Sequence, residues 1–244
     1  MQPVQPKHIL SRRPNTSSAA FLMTQLHVLR CLPFLAWLLL SGPVLAQAVP
    51  PPPFQDEYRN PSLRFRPATR LSLGKFVAYF EKTKLAQVRK AVGRGTIAHQ
   101  GDAGDSMYWL CYAAASAEPP QRLWVMSHGE MGGPEMEIGG VMAEEVPPTA
   151  TVNSGCPALP STSMPLSVDR GIWLGTTQQT LLSKLGRPSA VRGDWLDFLH
   201  EGKLRGKDPF GSSETVDFSE QSSLSVRLVS GRIVALQAWK VTAY

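Results

Sequence analysis

"SLSVRLVSGRIVALQAWKV", residues 223–241, decides what kind of fold this chain builds. Leu224, Val226 and Leu228 alternate with polar residues, so one face of an extended strand is apolar and the other is not. Ser230-Gly231 then supplies a two-residue turn, and the apolar run resumes beyond it. The stretch predicts an antiparallel hairpin laid against a core.

Upstream, "GIWLGTTQQTLLSKLGRPS" at 171–189 reads as a short helix between start and stop marks. Thr176 and Gln179 are spaced as a capping box, in which each side chain satisfies a free backbone N–H of the first turn. Leu181, Leu182 and Leu185 form one apolar stripe; Gly186 is a left-handed stop and Pro188 prevents continuation. Gly171 and Gly175 are too sparse for a phosphate-cradling loop, so the stretch is helix punctuation and carries no ligand chemistry. "GDWLDFLH" at 193–200 then alternates as a strand with Asp197 facing solvent, and 201–221 reads as a polar loop.

The first half follows a similar order. Phe76, Phe80, Leu85, Val88 and Val92 in 74–93 recur at helical spacing, closed by Gly93. "SMYWLCYAA" (106–114), "RLWVMSHG" (122–129) and "PEMEIGGVMAEE" (134–145) read as strands, the last two around a glycine-rich turn. Aligning Gly93 with Gly186 places Val88 on Leu181, Val92 on Leu185 and Arg94 on Arg187. The expected fold is α+β: two divergent tandem repeats, each a short helix on a three-stranded antiparallel sheet. Repeat 1 spans 71–147 and repeat 2 spans 169–244, joined by a Pro/Ser/Thr-rich linker at 148–168.

The helix 171–189, the following "GDWLDFLHEG" and the closing "LSVRLVSGRIVAL" together resemble two exported families. These are the small outer-membrane assembly lipoproteins and the tandem-repeat β-lactamase inhibitory proteins. The resemblance runs well over about 170–241 and poorly over 75–145. It implies a helix-plus-antiparallel-sheet repeat and action by binding. The chain departs from the lipoproteins in having no lipid-acceptor cysteine, and no inhibitor contact residue carries over.

Residues 1–46 read as an export signal: Arg30, then "LPFLAWLLL", then small-residue cleavage sites ending at Ala46 or Ala48. Met23 would start a signal of ordinary length. Four prolines, Pro50–Pro53, make 47–70 an extended linker. Removing Lys7, Arg12, Arg13 and Arg30 from the 25 basic residues leaves 21 against 19 acidic ones, and no basic run suggests nucleic acid. Cys111 and Cys156 remain after the signal, and in an oxidising compartment the pair predicts a disulfide. The expected location is the periplasm or the exterior, with no stable membrane anchor once the signal is cleaved.

Chemistry is thinly represented. "GDS" at 104–106 with "DFLH" at 197–200 matches the outer signatures of an ester hydrolase, with Ser106 as nucleophile, His200 as base and Asp197 orienting it. No buried apolar strand precedes Ser106 and no oxyanion motif follows, which disfavours that reading. His99, His128 and His200 have no ligand partner at metal-site spacing; His128 with Glu130 is read as part of a turn. No metal and no cofactor are expected. Trp109, Trp124, Trp195 and Trp239 all fall in predicted strands, and on a sheet face uncovered by helices they would form a protein-binding surface. The expected function is a non-enzymatic, inhibitor-like or assembly-accessory module whose partner is an envelope or extracellular protein.

Overall fold

The structure, a computed structural model, describes residues 48–53, 61–102, 106–128, 136–147, 150–151, 155–208 and 213–243. Residues 1–46, read as an export signal, and Glu130 lie outside the described residues, and of His128 only the backbone is described.

The hairpin is where the sequence places it. Strands β10 (Thr215–Val229) and β11 (Arg232–Ala243) pair antiparallel around Ser230 and Gly231. Their φ values of 50° and 72° make the turn type I′, whose twist matches that of the flanking strands. On one side β10 pairs β9 (Trp195–Lys207), and β9 pairs β8 (Ala190–Arg192). On the other, β11 pairs β6 (Gly140–Glu145). Beyond β6 come β5 (Gln121–His128), β4 (Met107–Ala114) and β3 (Ala98–Gln100). The result is one eight-stranded antiparallel sheet of order β3-β4-β5-β6-β11-β10-β9-β8.

This corrects the expected α+β fold of two separate helix-plus-sheet repeats: the molecule is mostly β, and its two halves share one sheet. The cause lies in β6, where Val141, Met142 and Ala143 are all at most 2% exposed although they point alternately to both faces. Such a strand must be central, and β11, with Leu236, Gln237 and Ala238 at most 5% exposed, is its neighbour.

Two further segments differ from expectation. Residues 74–93 are not one helix: β1 (Arg70–Leu73) and β2 (Phe76–Tyr79) turn back at Gly74-Lys75, and only α1 (Leu85–Val92) is helical. Phe76 and Phe80 belong to the hairpin and the turn after it, so their helical spacing was coincidental. With β7 (Leu166–Val168) these strands make a small three-stranded sheet of order β2-β1-β7. The expected polar loop 201–221 is instead largely strand, its alternation hidden because Gly202 and Gly206 stand where apolar side chains would be. Helix α2 (Gln178–Leu185) matches expectation apart from its cap. Thr177, not Thr176, accepts from the Thr180 N–H at 3.2 Å, while the Thr176 hydroxyl accepts from the Trp173 N–H.

The main core lies on one face of the large sheet. Leu110, Tyr112, Leu123, Val125, Val226, Leu236 and Phe198 meet Leu85, Val88 and Val92 of α1, Leu181 and Leu185 of α2, and the small sheet. The segment 61–70 lies along this side too: the Ser62 and Leu63 amides donate to the Leu199 carbonyl, and the Ser222 hydroxyl donates to the Ala68 carbonyl. Burial of the Tyr112 phenol among these side chains pushes its pKa above the usual tyrosine range.

Candidate binding face

Among the described residues no helix lies on the opposite face of the sheet, and the strand register places its side chains in rows. One row runs Ala113, Arg122, Glu144, Ala235, Arg227, Trp195, Arg192 from β4 to β8. The next runs Cys111, Trp124, Met142, Gln237, Ser225, Asp197, Ala190. A third runs Trp109, Met126, Gly140, Trp239, Ser223, Leu199. With about 4.8 Å between strands, Arg122 and Trp195 are about 19 Å apart across four strand steps.

The four tryptophans therefore share the helix-free face, in two settings. Trp109 and Trp124 are 4% and 1% exposed, packed with Met126, Met142 and the Cys111–Cys156 disulfide, whose Cα atoms are 5.0 Å apart. Trp195 and Trp239 are half-buried. The Trp239 indole lies over Gly139 and Gly140, where a Cβ on Gly140 would approach ring atom Cε3 to 2.3 Å. Only a residue without a side chain fits opposite that ring.

Charged groups lie at both ends of the first row, near Trp195 and near Trp124. Arg192 holds the buried Asp197 carboxylate with both its Nε (2.6 Å) and its terminal nitrogen (2.8 Å), and the Ser225 hydroxyl donates to the same group at 2.7 Å. Asp197 is thus 1% exposed, not solvent-facing as its position in an alternating strand suggested. Arg122 approaches Glu144 at 3.8 Å and lies 5.7 Å from the Trp124 ring centroid. Burial raises the Glu144 pKa against the lowering influence of Arg122 and Arg227. The Nε atoms of both arginines are buried without a hydrogen-bond partner. The middle row is buried from Cys111 to Asp197, and what the face leaves half-buried around it is Arg122, Arg192, Arg227, Trp195 and Trp239.

The inner tryptophans are covered by the chain itself. Trp109 and Trp124 both donate their indole N–H to the Val49 carbonyl, at 2.9 and 3.0 Å. Ala48 and Val49 pack on the same apolar cluster. The proline run reads from sequence as a solvated linker, so this contact was missed; two buried indoles needing an acceptor were the available signal.

The hydrolase residues do not come together. Ser106 precedes β4, whereas Asp197 and His200 lie on β9, five strand steps or about 24 Å across the sheet. Asp197 serves Arg192, and His200 Nδ1 lies 3.0 Å from the Leu63 carbonyl oxygen. The Ser106 hydroxyl instead meets His99 Nε2 at 2.8 Å, but Ser106 is 2% exposed and presents no open nucleophile. His99 stacks on Tyr108 at 4.1 Å. Among the described residues no group of three His, Cys, Asp or Glu side chains could hold a metal ion, and no helix is long and apolar enough to cross a membrane.

The disulfide fits an oxidising, non-cytoplasmic location. No protein family, curated protein or solved structure matches the chain.

Proposed function

We propose that the protein is an exported, non-enzymatic binding module that engages an envelope or extracellular protein through the helix-free face of its large sheet. The observation that carries this reading is the placement of Trp195, half-buried, directly beside Arg227 on that face, with the half-buried Trp239 two rows away on the same side. Tryptophan and arginine dominate the energetics of protein interfaces, because both bury large area and offer directional donors. Arg122 and Arg227 are half-buried on this face, with Glu144 and Ala235 between them in the same row.

The reading is tested by capture from envelope extracts under cross-linking. A partner retained by the wild type should be lost with Trp195→Ala combined with Arg227→Ala. It should be kept with Tyr79→Ala, an exposed residue on the small sheet. Capture indifferent to the double substitution would dismiss this face as the binding surface.

A further inference from the structure

We infer that the Trp109–Trp124 surface is a groove for an extended peptide that leads into a proline run, occupied in cis by Ala48 and Val49 ahead of Pro50–Pro53 and open to competition by a segment of that kind from a partner. The inference rests on the reading of the helix-free face as a binding face and names one kind of ligand for it.

The contact seats the residue that precedes a proline run. Two indole N–H groups from adjacent strands converge on one backbone carbonyl, that of Val49. A carbonyl acceptor on an aromatic floor is what a proline-rich strand offers, since prolines lack N–H groups and cannot pair as a sheet strand. Pro50–Pro53 follow directly, with φ restricted by their rings, so little conformational entropy is lost on docking.

The occupant is lightly held. Pro50, Pro52 and Pro53 are exposed, and among the described residues the grip consists of two indole bonds and the packing of Ala48 and Val49. The floor, by contrast, is rigid: the disulfide ties β4 to the 155–159 loop, which also pairs with β4 through the Ala113 amide and carbonyl. Nor is the groove filled. A cleft of about 430 Å³, lined by Ala48, Thr96, Cys111, Cys156, Pro157 and Ala158 among others, remains beside the Ala48 methyl. A ligand with a larger apolar side chain at that position would fit better than the chain's own alanine.

The test uses the whole purified protein and two synthetic peptides, AVPPPPFQ and LVPPPPFQ, followed by tryptophan fluorescence. Val49→Asp places a carboxylate in the apolar cluster and should free the strap. That variant should bind AVPPPPFQ saturably and at least tenfold more tightly than the wild type, and LVPPPPFQ more tightly still. Trp124→Phe in the freed variant removes one donor and should weaken binding about fivefold, the worth of a hydrogen bond of about 1 kcal/mol. Equal binding by wild type and Val49→Asp, or no binding by either, would overturn the inference.

Should Val49→Asp lose its near-ultraviolet circular dichroism, Trp124→Phe alone provides the measurement. Hydrogen exchange of the Trp109 indole N–H, held by the same Val49 carbonyl, should then accelerate, and an unchanged rate would overturn the inference. Partner capture that needs Trp195 and Arg227 while no peptide binds would sink the groove alone; loss of both would remove both readings.

Discussion

Glu220 and Asp197 are carboxylates sealed in the same sheet, each made tolerable by partners supplied from elsewhere in the chain. Glu220, 3% exposed, receives Arg66 from the segment before β1 and Lys240 from β11 at 3.2 Å. Burial opposes its ionisation, but the hydrogen bonds and charges of Arg66 and Lys240 outweigh burial and hold its pKa below the ordinary value of 4.5. A carboxyl with a lowered pKa contributes stability above the unfolded-state value and loses it as pH falls through the folded-state value. Glu220→Gln is therefore expected to lower stability at neutral pH by roughly 1.5–3 kcal/mol, the worth of a charged hydrogen bond. Urea titrations of both proteins from pH 7 to pH 3 should show that difference shrinking below about pH 4.5; a constant difference would argue against the linkage. Neither burial was legible in sequence. Asp197 alternates as a surface residue would, and only the register with Ser225 and the diagonal reach of Arg192 reveal that it is enclosed.

Among the elements, the β10–β11 hairpin was the most readable because its period and its turn agree. Two-residue turns of type I′ need positive φ at both positions, which glycine adopts freely and serine does not. Ser230→Asn should stabilise the protein by about 0.5–1 kcal/mol, since asparagine visits the left-handed region at lower cost. A rise in Tm measures it, and an unchanged Tm would mean that the turn is not limiting. The same reading failed for 74–93, where aromatic residues of a hairpin happened to fall at helical intervals before a true helix. It failed again for 201–221, because glycines erased the apolar half of a strand pattern while Lys203, Arg205 and Lys207 marked the other half. Helix α2 was legible to within one residue at its cap.

For the molecule as a whole, the disulfide was legible from the cysteine count once residues 1–46 were read as an export signal, whereas the joining of two halves into one sheet was not. That joining depends on a pairing of β6 with β11 across about 95 residues, for which no local pattern exists. Cys111–Cys156 closes 45 residues and sits beneath the two inner tryptophans. Reduction should lower stability by about 4 kcal/mol in the chain-entropy view. Urea unfolding with and without reductant measures this, and equal midpoints would place the stabilisation elsewhere. The ends of the large sheet have a different consequence. Strands β3 and β8 are three residues each, so β9 runs on beyond β8 with Lys203, Arg205 and Lys207 exposed along it. A sheet this wide invites edge-to-edge polymerisation, and an aggregate grown along that rim would have to stack cation upon cation. The chain thus carries its own gatekeepers where its backbone is most available for fibril growth.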